Sequence, residues 1–117
     1  MRHQKNKKLP GYTHEHRLSM ISNQATSLIL HEKIETTVAK AKSLRPYVER
    51  LITSAKEDSL AARRRALVKL SHKNAVKKLF EVIGPKYKDR KGGYLRIRRT
   101  TRRDGDSAEK AQISLVE

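Results

Sequence analysis

The 117-residue chain has no cysteine and no tryptophan, and only one phenylalanine, three prolines and five glycines. Without cysteine there is no disulfide framework, thiolate zinc site or cysteine nucleophile, and the composition fits a reducing compartment. Long apolar runs are missing too. Leu28-Ile29-Leu30 is typical of the longest, far short of the roughly 18 residues a membrane-spanning helix needs. Met1 to Pro10 is basic but leads into no apolar segment, so it does not read as a secretory signal. Asn6, Pro10 and Gly11 argue against the amphipathic helix of a mitochondrial transit peptide. The expectation is a soluble, cytoplasmic chain with no membrane partner. Negative charge is also scarce: 12 Asp and Glu stand against 28 Lys and Arg, a net charge of +16. Solubility asks for only about 2–8 on a small domain, so the excess repels itself until a polyanion screens it. Charge alone leaves DNA, RNA and an anionic membrane surface open.

Catalytic constellations are missing as well. There is no G-x-x-x-x-G-K-[ST] phosphate loop, no glycine-framed nucleophile and no oxyanion-hole signature. His3, His14 and His16 imitate a metal site on paper, but their basic surroundings disfavour a cation. Glu32 and Glu35 suit surface ion pairs with Lys33 or nearby lysines better than a paired-carboxylate site. No enzyme, metal or cofactor is therefore expected. Aromatics make up 4% of the chain. Phe80 and Tyr47 read as core, which leaves Tyr12, Tyr87 and Tyr94 for stacking or packing. Three rings are too few for a single-strand platform and suit a binder of RNA shape and backbone better.

What the chain does have is periodicity. Residues 1–12 carry Arg2, Lys5, Lys7 and Lys8 without an acid and close on Pro10-Gly11, an extended basic arm. Thr13 is placed to cap a helix in which Leu18, Ile21, Ala25, Leu28 and Ile29 share one face as far as about His31. Lys33 to Thr37 is β-branched and reads as a short strand, with Thr37 capping the next helix. That helix carries Val38, Ala41, Leu44, Val48, Leu51, Ile52 and Ala55 on one stripe. Pro46 inside it should kink or divide it. A third helix over about 60–70 offers Leu60, Leu67 and Leu70, with Ala62, Ala66 and Val68 around them and Arg63-Arg64-Arg65 toward solvent. Ser71 is placed to cap a fourth, with Val76, Leu79, Phe80 and Ile83 inward and Lys73, Lys77 and Lys78 outward. Gly84-Pro85 is a stop signal. Leu95 and Ile97 alternate in one strand, Ala111, Ile113 and Leu115 in another. A long loop from Thr100 to Glu109, with Asp104-Gly105 at its tip, joins them. The exposed face of this hairpin should bear Tyr94, Arg96 and Arg98. The expected fold class is α+β: helix-strand-three helices-two strands, a small three-stranded sheet packed on helices, behind a basic N-terminal arm. Residues 13–117 are expected to form a single domain.

The basic residues are not spread evenly. Residues 84–103 hold nine Lys and Arg against Asp89 alone, a net +8. Within them Arg96, Arg98, Arg99, Arg102 and Arg103 put five guanidiniums into eight residues, and a guanidinium binds phosphate oxygens bidentately. The arm, with Arg17 near it, is a second candidate surface, and the helix-borne Arg63-Arg64-Arg65 and Lys73, Lys77 and Lys78 a third. Two rivals remain at this level. A nucleoid-type DNA binder would share the charge but should show a recognition helix or a dimer interface. An RNA-processing enzyme would need a catalytic cluster.

Several motifs occur together in one order. Met1-Arg2-His3 opens the chain; Ile34-Glu35-Thr36-Thr37 runs into Lys40-Ala41-Lys42 and Leu44-Arg45-Pro46. Glu49, Leu51-Ile52-Thr53, Ala62-Arg63-Arg64 and Lys78-Leu79-Phe80 follow, then Gly92-Gly93-Tyr94, Arg96-Ile97 and Arg103 before Gly105-Asp106. This pattern resembles the bacterial-type large-subunit ribosomal protein seventeen family along essentially the whole chain. After Asp106 the family usually runs into a Pro-Met-Ala-like segment, where this chain has Ala108-Glu109-Lys110-Ala111. The resemblance implies a non-enzymatic, monomeric part of the large ribosomal subunit. It further implies binding to large-subunit ribosomal RNA near the polypeptide exit-tunnel side, with neighbouring ribosomal proteins, notably number thirty-two, in contact. It places basic motif positions at Arg2, His3, His16, Arg17, Lys40, Lys42, Arg45, Arg63, Arg64, Arg96 and Arg103. With Lys5, Lys7, Lys8, Arg98, Arg99 and Arg102 these form the expected RNA-binding set. Thr36-Thr37 and Leu44-Arg45-Pro46 read as architectural, and Glu49 as the ion-pair partner of a nearby base.

Overall fold

The computed structural model describes residues 13–70 and 72–117, so the basic arm and Ser71 lie outside the described residues. Thr13 starts α1 (His14–His31): its Oγ1 accepts the His16 amide at 3.2 Å, satisfying a donor that the first helical turn leaves unpaired. Ala25, Leu28 and Ile29 are its buried face. At its end Glu32 adopts a left-handed φ of 65° and donates its amide to the Leu28 carbonyl at 2.7 Å. A non-glycine residue thus supplies the reversal that leads straight into β1 (Lys33–Thr37). Thr37 caps α2 (Val38–Ala55) by accepting the Lys40 amide at 3.4 Å. Thr36 is also architectural, accepting Gln24 Nε2 from α1 at 3.2 Å.

Pro46 does not divide α2, which is one helix of 18 residues. Proline removes a single amide donor, and the buried face formed by Leu44, Val48 and Ile52 runs past it unbroken. α3 (Leu60–Leu70) begins at Ser59, whose Oγ accepts the Ala62 amide at 3.1 Å. Its buried face is not the leucine stripe that periodicity suggested. Ala62, Ala66 and Leu70 point inward, while Leu60, Leu67 and Val68 are 66%, 39% and 79% exposed. The two alanines let α3 approach α1 and α2 closely, and hydroxyls then tie its last turn. Ser22 and Tyr47 donate to the Lys69 carbonyl at 2.6 and 2.8 Å, and Thr26 to the Leu70 carbonyl at 3.0 Å. Carbonyls at a helix C-terminus have no partner within the helix, and the neighbouring helices supply them here.

α4 (Lys73–Lys78) has His72 in the capping position, with no side-chain cap hydrogen bond. Gly84-Pro85 does not stop the helix that follows. The chain passes through a π turn (Leu79–Ile83) into a last α-helical turn, α5 (Gly84–Lys86). Pro85 falls in the first two positions of α5, directly after the π turn. Gly84 has an ordinary helical φ of −54°, so its value is steric. A Cβ there would lie 2.5 Å from the Ala55 carbonyl oxygen at the end of α2. Val76, Leu79, Phe80 and Ile83 are all buried, as expected.

β2 (Leu95–Arg102) and β3 (Glu109–Leu115) complete an antiparallel sheet in the order β1-β3-β2. The last strand is therefore central, pairing Ile34 with Ile113 on one side and Ile97 with Ile113 on the other. Ala111, Ile113 and Leu115 face inward, and α2 covers that side. The hairpin loop is shorter than expected: β2 reaches Arg102, which pairs with Glu109 after a register shift between Arg99 and Arg102. Tyr94 does not join the exposed face. It is 1% exposed, because Gly92 and Gly93 take positive φ and the strand alternation starts only at Leu95. Its ring centroid lies 5.2 Å from that of Tyr87; its hydroxyl accepts from Thr53 at 3.3 Å and donates to the Arg90 carbonyl at 3.2 Å. Both tyrosines are packing groups. The element order is the α+β arrangement read from the sequence. No helix among the described residues is long and apolar enough to cross a membrane.

Candidate nucleic-acid interface

Alternation in the sheet decides which cations face out. Arg96 and Arg98 are exposed, and register sets them opposite Ser114 and Gln112 of the central strand. Those two residues in turn face Lys33 and Glu35 of β1. The open side of the sheet is therefore polar across all three strands.

The hairpin arginines are held rather than loose. Arg98 Nη2 donates to Gln112 Oε1 at 3.0 Å. Arg99 and Arg102 both reach Glu109, each at 3.6 Å. Arg103 grips Asp106 through two guanidinium nitrogens, with Nε to Oδ1 at 3.1 Å. That donation, helped by the Ala108 amide, lowers the Asp106 carboxyl from 3.8 to about 2. Gly105 at φ 99° and Ser107 at φ 56° form the turn that allows this closure. The Arg96 side chain makes no ion pair or hydrogen bond with another described residue.

The other expected residues fall into groups. His16 is exposed and Arg17 half-buried in the first turns of α1. On α2, Lys42 is exposed, Lys40 half-buried, and Arg45 pairs with Glu49 at 3.6 Å, as expected for that glutamate. Lys42 lines a hollow of about 730 Å³ with Thr37, Ser43 and the hairpin residues Ala108 and Glu109. The fold thus brings α2 and the root of the hairpin to one surface. Arg63 and Arg64 are not brought there. They line a different hollow, between α3 and α4. Arg63 is committed to Asp58, with Nε to Oδ1 at 2.7 Å and Nη2 to Oδ2 at 2.8 Å, and its guanidinium lies 5.3 Å from the Phe80 ring centre. The hydrogen bonds from Arg63 hold the Asp58 carboxyl below its usual range. Arg2, His3, Lys5, Lys7 and Lys8 lie outside the described residues.

Two cations that sequence reasoning missed join Arg96. Lys33 and Lys86 share with it a hollow of about 510 Å³ at the far end of the sheet, beside Ser114 and Glu117. The outward parity of Lys33 was readable in β1, but its approach to Arg96 depends on the last strand being central. The acids near β1 pair elsewhere than with Lys33: Lys78 meets Glu32 at 3.4 Å and Lys110 meets Glu35 at 3.0 Å. Lys78 also donates to the Leu30 carbonyl at 2.9 Å, so it ties helices together and is only half exposed.

Comparison with known proteins now joins this geometry. The family model described as ribosomal protein L17 matches residues 20–116. A large ribosomal subunit protein bL17 from Paracoccus denitrificans is 51% identical over 117 residues, covering all of this chain and 84% of that protein. The protein of the same name from Rickettsia bellii is 51% identical over 118 residues, covering all of this chain and 82% of its own length. That of Koribacter versatilis is 53% identical over 106 residues, 91% of this chain and 66% of its own. Family match and full-length similarity agree with the motif order and the fold, and the chain belongs to the ribosomal protein L17 family.

Proposed function

We propose that this chain is a structural, non-enzymatic constituent of the large ribosomal subunit that clamps folded segments of large-subunit ribosomal RNA. The observation that carries the reading is the hairpin: five arginines project from one β-ribbon, all of them exposed. Guanidiniums so placed meet successive phosphates bidentately. Lys42 extends this surface through the hollow shared with Glu109, and Lys40 and Arg45 of the same helix are assigned to it. His16, Arg17 and the arm cations Arg2, His3, Lys5, Lys7 and Lys8 are assigned to the same RNA. Residues 13–117 act as one α+β body that sets the placement, as a monomer within the particle. The site near the exit-tunnel side and the contact with ribosomal protein number thirty-two belong to the same proposal.

The test is salt-dependent binding to large-subunit ribosomal RNA fragments, compared with random duplex DNA. Replacing Arg99, Arg102 and Arg103 together by alanine should flatten the log–log salt slope by roughly 0.7–0.9 for each phosphate no longer neutralised. Deleting residues 1–8 should also weaken binding while leaving helical circular dichroism unchanged. Equal affinity of the wild-type protein for random DNA would sink the ribosomal reading.

A further inference from the structure

The α3 helix carries a face from which the expected RNA-binding set takes Arg64 alone. Leu60, Arg64, Leu67 and Val68 recur at intervals of 4, 3 and 1, one side of the helix, and the three aliphatic side chains are exposed. Against this side runs a groove of about 480 Å³ between α3 and α4, lined by Arg63, Arg64, Leu67, Lys73, Val76, Lys77 and Glu81. Its cations differ in availability. Arg63 is held by Asp58 and also feels the Glu81 carboxylate. Arg64, Lys73 and Lys77 form no ion pair with any described residue. The groove therefore sets the exposed Leu67, with Leu60 and Val68 on the same side of α3, beside three cations that Glu81 in the same lining does not ion-pair.

We infer that this groove docks a protein segment of the same particle, one presenting aliphatic side chains flanked by Asp or Glu. The inference rests on the ribosomal reading for where that partner is found. Aliphatic surface gains by leaving water against other apolar side chains. RNA offers mainly phosphates and sugars, against which aliphatic side chains gain little, so the exposed Leu60, Leu67 and Val68 favour a protein over RNA. A second copy of the chain is excluded by charge, since two molecules of +16 would bring like cations together. Acidic flanks on the partner would instead pair with Arg64, Lys73 and Lys77.

The experiment places the photocrosslinking residue p-benzoyl-phenylalanine at the exposed position 68 and rebuilds large subunits that lack this protein. After irradiation, the adduct should be nuclease-resistant, and peptide mapping should find it in a segment with acidic residues around apolar ones. An RNA adduct, a basic partner segment, or no adduct in particles that contain the variant would overturn the proposal. In parallel, the double variant Leu67→Asp and Val68→Asp should lower particle occupancy about tenfold and leave affinity for naked large-subunit ribosomal RNA unchanged. An equal drop on naked RNA, or undiminished occupancy, would count against it. Wild-type protein that enters neither particle nor RNA complex sinks the ribosomal reading, and this inference with it.

Discussion

The hairpin and the α3–α4 groove are both basic, yet they are built in opposite ways. On the hairpin, four of the five arginines already have a partner: Gln112 for Arg98, Glu109 for Arg99 and Arg102, Asp106 for Arg103. These interactions fix guanidinium directions on an exposed ribbon that presents almost no apolar surface. In the groove, Arg64, Lys73 and Lys77 lack such partners and stand around the exposed Leu67, with Leu60 and Val68 on the same exposed side of α3. Cation density alone would rank the two regions alike. The apolar component separates them: a ribbon of oriented charge suits phosphates, whereas a basic-rimmed aliphatic groove suits a protein.

The largest expected effect tests what the two surfaces share. Gly84→Ala forces a Cβ toward the Ala55 carbonyl, and the added methyl pushes α5 away from the end of α2. Overpacking of this kind costs about 1–3 kcal/mol, so denaturant midpoints should fall clearly. RNA binding and particle occupancy should decline in parallel at temperatures where the variant begins to unfold. A variant impaired in only one of the two would show that the scaffold does not couple them.

Much of this contrast was hidden in the sequence, for physical reasons. Caps at Thr13 and Thr37 and the alternation of Leu95 with Ile97 are local, so they could be read directly. The outward positions of Arg96 and Arg98 follow from the same parity. The buried face of α3 is different. Leucine promises more burial than alanine, but the close approach of α3 to its neighbours selects Ala62 and Ala66 and leaves Leu60, Leu67 and Val68 outside. Tyr94 looked available because nothing local shows that Gly92 and Gly93 break the strand before it. The arginine run looked uncompensated because Glu109 is distant in sequence from Arg99 and returns only through pairing of β2 with β3.

A smaller effect separates local from net charge. Glu109→Gln removes one negative charge and frees Arg99 and Arg102 from exposed pairs worth about 0.2–1 kcal/mol each. Affinity for large-subunit ribosomal RNA should rise about two- to fivefold by filter binding or fluorescence titration. Glu81→Gln removes the same charge from the groove and should leave that affinity unchanged, since charges separated by more than about 8 Å are screened at physiological salt. Equal gains from both variants would mean that RNA affinity follows total charge, and the distinction between the surfaces would fail.

The smallest effect concerns the hairpin tip. Asp106 titrates at about 2 in the folded chain, below its ordinary 3.8, chiefly because Arg103 donates to it. The pair is therefore fully favourable above about pH 4, where the carboxylate is charged in both folded and unfolded states. Its contribution fades as pH falls from there toward 2, because the unfolded carboxyl protonates first. Both partners are solvent-exposed, so the consequence should be local, with little change in global stability. Carbon-detected NMR of the Asp106 carboxyl should give a midpoint near 2, rising toward 3.8 in Arg103→Gln. The Ala108 amide, which donates to the same carboxylate at 3.1 Å, should report the same transition. A wild-type midpoint already near 3.8 would mean that Arg103 is as unengaged as Arg64, and pairing would no longer distinguish the tip of the hairpin from the groove.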